Sequence, residues 1–216
     1  PDRGLMLLRN LGFSDFLVKE FKNLKIINCY DLYDDIHDTY GLINSLPKKL
    51  HVRLAGWFYK VFNSENAVEK CRTILKKLKY DNNTINDTCN LVENINSISC
   101  NMTRKKLKLL INSVWTENIF DLLDLQKSYL SYMDEYDTEC IDILKNRVSD
   151  ILASKEPIFI KDLAITGNDL ITELNFKPGK NIGVILNFLL ENVMQTPELN
   201  NKEDLLNLSK QFYLYN

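Results

Sequence analysis

Apolar side chains recur at intervals of three and four residues along most of the chain, the spacing that places them on one face of an α-helix. No segment sustains the alternation of apolar and polar residues that is typical of a β-strand. The pattern therefore predicts an all-α protein, arranged as an elongated array of many helices. The clearest apolar stripes contain Leu50, Leu54, Trp57, Phe58 and Val61, then Ile74, Leu75 and Leu78, then Ile141, Leu144, Val148, Ile151 and Leu152.

Helix boundaries are marked by few residues, because the chain has only seven glycines and five prolines. Pro47 is expected in the first turn of a helix, where its fixed φ angle fits, and Pro157 follows a helix that should end near Lys155. Residues 81–84 have short polar side chains that cap free backbone N–H groups, which predicts a turn and a helix start. Without a repeat of fixed period, the chain divides into two helical modules joined near residues 154–158.

The composition is that of a soluble globular protein, with 45% hydrophobic residues and 27 Lys and Arg against 29 Asp and Glu in 216 residues. No apolar run approaches the ~18 residues of a membrane-spanning helix, and the start lacks a signal peptide. We therefore expect a cytoplasmic protein without a membrane partner. Because the sequence starts with Pro1 rather than Met, we expect it to be part of a longer chain.

Five cysteines without a Cys-x-x-Cys pair predict neither a disulfide framework nor a zinc site. We interpret them as small core residues or surface thiols.

Charge is distributed unevenly along the chain. Residues 1–113 have 18 Lys and Arg against 12 Asp and Glu, a net charge of +6, whereas residues 114–216 have a net charge of −8. Only the first half is suited to binding a polyanion by its overall charge. Its basic residues cluster at 70–79 and 104–108, and the acidic residues at 134–139 should repel a phosphate backbone.

One short segment has the composition of a phosphate-binding turn. Lys177-Pro178-Gly179-Lys180-x-x-Gly183 lies between predicted helices of about eight and fifteen residues. This hairpin would place free N–H groups and a positive dipole end at the start of the second helix. Gly179 would let a ligand approach the backbone closely, and Gly183 would allow close helix packing. The alternative is a turn that serves packing alone.

The segment after Pro157 contains an extended motif. It reads Ile160-Lys161-Asp162-Leu163-Ala164-Ile165-x-Gly167-x-Asp169-Leu170, then Phe176-Lys177-Pro178-Gly179-x-x-Ile182-Gly183-x-x-Leu186-x-x-Leu189-Leu190, then Pro197-Glu198-Leu199-Asn200 and Leu205-Leu206. Through this motif, residues 160–206 resemble the C-terminal domain of bacterial tRNA nucleotidyltransferases, the CCA-adding enzymes, and of their poly(A) polymerase relatives. Residues 2–12 are similar to the neck that follows the catalytic head in that family. The resemblance implies a neck at residues 1–30, a helical body at 31–155 and a tail domain at 156–216.

The middle of the chain is similar to the HD-like region of that family, but it lacks the metal ligands. His37 stands at the position of a first ligand. Where related phosphohydrolases have His-Asp after Arg-Leu-Ala, this chain reads Arg53 to Lys60, with Tyr59 and Lys60 in place of imidazole and carboxylate. With His51 as the only other histidine, a ligand set cannot be assembled. We predict no metal site and no metal-dependent phosphatase activity.

Nucleotidyl transfer needs paired carboxylates for two metal ions and a loop that holds the nucleotide. The pairs Asp34-Asp35 and Asp121/Asp124 lie in helical patterns without a Gly-Ser loop before them, so we interpret them as solvated helix faces. We therefore expect no catalytic residue and no cofactor in this chain. Mg²⁺ and CTP or ATP would bind only in a missing N-terminal head domain.

The resemblance implies that the chain binds tRNA and positions its 3′ end for that head. Because side chains cannot read the major groove of an A-form duplex, we expect contacts to phosphates and 2′-hydroxyl groups. Two alternatives remain open: a fragment of a bacterial poly(A) polymerase, and a protein-interaction module that uses the surface of Trp57, Phe58 and Tyr59. The expected RNA-binding residues are Lys161, Lys177, Gly179, Lys180, Gly183, Arg104, Lys105 and Lys106.

Overall fold

A computed structural model describes residues 41–62, 66–132 and 138–215, and every regular element in these ranges is helical. The all-α prediction is confirmed for this part of the chain, which contains no β-strand. Residues 41–45 are also helical. The longer helices are α1 (Leu50–Phe62), α2 (Ala67–Lys77), α3 (Asn82–Asn94), α4 (Arg104–Val114), α5 (Ile119–Tyr132), α6 (Glu139–Ala153), α7 (Gly167–Leu174), α8 (Lys180–Gln195) and α9 (Lys202–Tyr215).

The described residues form two compact units that do not follow the order of the chain. The first contains residues 41–100 and 113–144, and the second contains residues 101–112 and 145–215. The second unit therefore includes residues 101–112 and 145–155 in addition to the region predicted as the tail. Helices α4 and α6 each begin in one unit and end in the other.

The first unit is built around α3, which packs against α1, α2 and α5. Leu91 of α3, Phe58 of α1 and Leu75 of α2 are fully buried in this unit and form part of its core. The apolar stripes predicted from the sequence thus supply core residues. Leu50 and Leu78 are exceptions, since their side chains are 55% and 51% exposed.

In the second unit, α8 packs against α7, α9 and the short 3₁₀ helices Ile160–Asp162 and Pro197–Leu199. Leu170, Leu189 and Leu205 contribute buried side chains from α7, α8 and α9. This packing fixes the hairpin formed by α7 and α8 on a helical support.

The predicted helix boundaries are confirmed at two of three places. Asp81 caps α3, because its Oδ1 accepts a hydrogen bond from the Thr84 N–H at 2.9 Å. Helix α6 ends at Ala153, two residues before the predicted end. The prediction for Pro47 is wrong, because the Lys49 N–H bonds the Pro47 carbonyl at 2.7 Å in a turn, and α1 begins only at Leu50.

The cysteines follow two different patterns. Cys71 and Cys89 are buried with their sulfur atoms 3.7 Å apart, which confirms the prediction of small core residues. Cys100 and Cys140 form a disulfide, so the interpretation of the cysteines as small core residues or surface thiols is wrong for this pair. The two residues are 40 positions apart, and sequence spacing alone did not indicate that the fold brings them together.

Several predicted features lie outside the described residues: the neck at residues 1–30, Asp34, Asp35, His37, Cys29, and residues 134–137 of the acidic run. Among the helices that are described, none has the length and hydropathy needed to span a lipid bilayer.

Candidate nucleic-acid interface

The predicted hairpin is present, and its two helices, α7 and α8, have 8 and 16 residues. Thr166 and Asp169 form a reciprocal cap at the start of α7. The Asp169 carboxylate accepts from the Thr166 N–H at 2.7 Å, and the Thr166 hydroxyl accepts from the Asp169 N–H at 3.4 Å. Asn175 ends α7 in the left-handed conformation, at φ 53°. The chain then turns through residues 175–179 into α8.

Gly179 occupies the N-cap position of α8 with φ 152° and ψ −169°, a conformation that is accessible essentially to glycine alone. Its carbonyl accepts from the Ile182 N–H at 3.1 Å. No described atom lies within 4 Å of the place where a Cβ would be. This side of the backbone at the start of α8 is therefore uncovered, and the contact of a ligand with Gly179 stays a prediction.

Lys177 and Lys180 are exposed on either side of this glycine. In the described part of the chain, neither ammonium group forms an ion pair, so no carboxylate neutralises them. Their charge adds to the positive end of the α8 dipole. The turn therefore combines two cations with the unsatisfied N–H groups of a helix start.

Gly183 lies one turn into α8, and the prediction that it serves close helix packing is wrong. It is exposed, and a Cβ built on it would have no described atom within 4 Å. Within the hairpin, Gly167 packs closely, because a Cβ there would lie 3.0 Å from Ile182 Cγ2. Since packing does not require Gly183, its surface is free for close contact with a ligand.

Lys161 is exposed in the 3₁₀ helix Ile160–Asp162 of the second unit. Its ammonium nitrogen lies 5.3 Å from the centre of the Phe159 ring, which is a cation–π distance. This contact leaves the positive charge of Lys161 available to an anion.

The three basic residues at the start of α4 have different surroundings. Arg104 Nη2 and Nε donate to the Glu156 carboxylate at 2.6 and 3.2 Å. The Lys105 ammonium donates to Gln195 Oε1 at 3.4 Å, whereas Lys106 is exposed and lacks an ion pair within the described ranges. Lys106 thus has the charge that is least committed to the fold.

Lys108, one turn further along α4, is fully buried and was not singled out from the sequence. Its ammonium donates to the Met194 carbonyl at 3.0 Å and forms an ion pair with Glu156. Hydrogen bonds from Arg104 and then from Lys108 lower the pKa of Glu156 to about 2. Basic residues of one short run therefore hold the fold together as well as facing solvent.

In the first unit, the interpretation of Asp121 as part of a solvated helix face is wrong. Its side chain is 5% exposed and accepts from the Lys49 ammonium at 2.7 and 3.0 Å. The His51 Nε2 atom lies 2.9 Å from the same carboxylate. Asp121 is thus a buried acceptor that ties α5 to the segment before α1 and to α1 itself.

Tyr59 donates its hydroxyl to Asn96 Oδ1 at 2.5 Å and packs edge-on against Tyr129. Burial and then Tyr129 raise the pKa of this phenol. Within the described ranges, no three His, Cys, Asp or Glu side chains are grouped closely enough to hold a metal ion.

The aromatic run at 57–59 belongs largely to the interior. Phe58 is fully buried, and Trp57 and Tyr59 are half-buried. This arrangement leaves little continuous aromatic surface for a protein partner.

No curated protein matches the chain, and no solved structure matches it. A family model described as tRNA nucleotidyltransferase domain 2 matches residues 49–208, about three quarters of the chain. The match includes both units and the hairpin of α7 and α8. The chain therefore belongs to the tRNA nucleotidyltransferase domain 2 family.

Proposed function

We propose that the chain binds tRNA through the hairpin of α7 and α8 and holds its 3′ end for nucleotide addition by a head domain outside this sequence. One observation carries the proposal: Lys177 and Lys180 flank an open glycine turn at a helix start without an acidic partner in the described residues. Backbone N–H groups and lysines in this arrangement suit phosphate oxygens.

The charge of the second unit supports this location. Residues 101–112 and 145–216 contain twelve Lys and Arg and nine Asp and Glu, a net charge of +3. Arg104, Lys108 and Lys202 are paired with carboxylates. Lys106, Lys161, Lys177 and Lys180, all within the predicted set, are exposed and form no ion pair among the described residues, and the same holds for Lys155 and Lys210, which were not predicted.

Recognition of this kind reads shape rather than sequence. Lysines and backbone N–H groups contact phosphates, which position an RNA duplex but carry no base information. The open surface at Gly183 would let a sugar–phosphate backbone approach α8 closely. The chain should therefore bind many tRNAs with similar affinity.

The test is a titration of the full chain with bulk tRNA across a salt series, using wild type and Lys177→Glu/Lys180→Glu. We expect the double variant to bind tRNA at least tenfold more weakly. Its binding constant should also depend less steeply on salt concentration, by the equivalent of about two phosphate contacts. The matched control is Lys76→Glu/Lys77→Glu, which reverses two exposed charges in the first unit. Unchanged affinity of the hairpin variant, at unchanged helicity, would remove the hairpin from the interface.

The same titration with single-stranded RNA of equal length addresses the poly(A) polymerase alternative. Preference for tRNA supports the proposed function, whereas equal affinity for both RNAs favours the alternative. Absence of binding to either RNA favours a module that contacts protein.

A further inference from the structure

A cleft of about 510 Å³ opens between the start of α8 and the end of α9 in the second unit. Asn181, Val184 and Ile185 line it from α8, and Phe212 and Tyr213 line it from α9. This volume lies within the range of small-ligand sites, about 300–1,000 Å³. The cleft adjoins the hairpin, because Asn181 follows Lys180 directly in α8.

One wall of the cleft is an aromatic platform. The ring of Tyr213 stacks on that of Phe176, with centroids 4.4 Å apart and planes inclined by 20°. Phe176 is buried, which holds the pair in place, while Tyr213 is 50% exposed. Phe212, which also lines the cleft, packs against Phe188 with ring centroids 4.5 Å apart. A flat ring can therefore stack on Tyr213 without rearrangement of the core.

Exposed lysines precede the lining residues on both helices. Lys180 lies one helical turn before Val184, and Lys210 lies three residues before Tyr213, spacings that place each lysine on the same side of its helix as that lining residue. Lys177 follows Phe176, the partner ring of Tyr213. No carboxylate is among the described lining residues, and the exposed Asn181 side chain supplies amide donors and an acceptor.

We propose that this cleft binds one unpaired nucleotide of an RNA, with the base stacked on Tyr213 and the adjacent phosphates near Lys180 and Lys210. The proposal rests on the proposed function, since it assumes that the hairpin contacts RNA. Aromatic rings stack with bases that are free of a duplex, and lysines beside them hold the backbone. A purely apolar partner would leave Lys180 and Lys210 without complementary charge.

The experiment compares two short RNA duplexes that differ by one nucleotide, a blunt duplex and the same duplex with a single unpaired adenosine. The full chain should bind the bulged duplex on the order of tenfold more tightly, as expected for one base–aromatic stack. Tyr213→Ala should abolish this preference, and Tyr213→Phe should retain it. Val184→Trp, at a side chain 55% exposed, should also abolish it by filling the cleft without disturbing the core.

The controls separate the proposed base cleft from the proposed binding of tRNA by the hairpin. Ile143→Ala, at an exposed apolar residue of the first unit, should keep the preference. Equal binding of both duplexes, or a preference that persists in Tyr213→Ala and Val184→Trp, would overturn the base cleft but leave the hairpin in place. Failure of wild type to bind either duplex or tRNA would overturn both proposals.

Discussion

Glu156 accepts hydrogen bonds from Arg104 and forms an ion pair with the fully buried Lys108. The Lys108 ammonium has only the Met194 carbonyl as a further described partner. If the carboxylate is neutralised, a buried cation is left without its counter-charge, which is costly in a protein interior. At the residue scale, this cluster is therefore a determinant of stability, although one of its members, Arg104, was predicted to bind RNA.

We predict that Glu156→Gln lowers the free energy of unfolding by about 2–3 kcal/mol at neutral pH. Because the folded-state pKa of Glu156 is about 2, below its ordinary value of 4.5, the ionised carboxylate stabilises the fold above pH 4.5. This contribution is lost as the pH falls towards 2, so the difference between wild type and variant should shrink over that interval. Urea unfolding of both proteins at several pH values measures this difference in the free energy of unfolding.

The control for this prediction is Asp142→Asn, which removes the carboxylate of an exposed pair with Lys127. Because solvent screens that pair, the change should cost less than about 1 kcal/mol. A Glu156→Gln variant as stable as wild type at pH 7 would contradict the assigned role.

At the scale of the element, the first turn of α8 has two glycines with different roles, Gly179 at the N-cap and Gly183 within the helix. Gly179 supplies a backbone conformation that other residues adopt only with strain. Gly183 occupies an exposed helical position with open space around it, where alanine would favour the helix. Stability and RNA binding should therefore respond in opposite directions at Gly183.

We predict that Gly183→Ala raises the free energy of unfolding by up to about 1 kcal/mol and weakens tRNA binding by obstructing close approach to α8. Gly179→Ala should lower the free energy of unfolding by about 1–3 kcal/mol. Thermal unfolding and tRNA titration of both variants provide the measurements. Stronger stability with unaltered tRNA affinity in Gly183→Ala would show that RNA does not approach this face.

At the scale of the whole molecule, the chain passes between its two units after residues 100, 112 and 144. Cys100 and Cys140 lie close to the first and last of these passages, and their disulfide closes a loop of 40 residues. Such a cross-link restricts the unfolded chain and stabilises the fold. Disulfides persist in oxidising compartments and are uncommon in the cytoplasm, so this bond does not fit the predicted cytoplasmic location.

We predict that reduction, or Cys100→Ser/Cys140→Ser, lowers the free energy of unfolding by up to about 4 kcal/mol, from the loop length. Alkylation of the protein in intact cells, followed by peptide mapping, should recover Cys100 and Cys140 as a linked pair and Cys71 and Cys89 as free thiols. Unfolding midpoints that do not change with reductant would argue against a stabilising bond.

The sequence alone determined those features that depend on neighbouring residues. The helical spacing of apolar residues, the cap at Asp81 and the hairpin lengths follow from local backbone geometry and side-chain chemistry, and the structure agrees with each. The special role of Gly179 was also predictable, because the turn between two helices at Pro178-Gly179 limits the available conformations.

Only the tertiary structure decided which charges face solvent and which are paired. Lys108 and Asp121 have the same local pattern as surface residues, but partners 48 or more positions away, at Glu156, Lys49 and His51, make them interior groups. The same long-range packing joins residues 101–112 to the second unit and gives it a net positive charge, although the C-terminal half of the sequence is acidic. Contacts between distant segments depend on how the helices pack, and the spacing of residues along the chain does not contain that information.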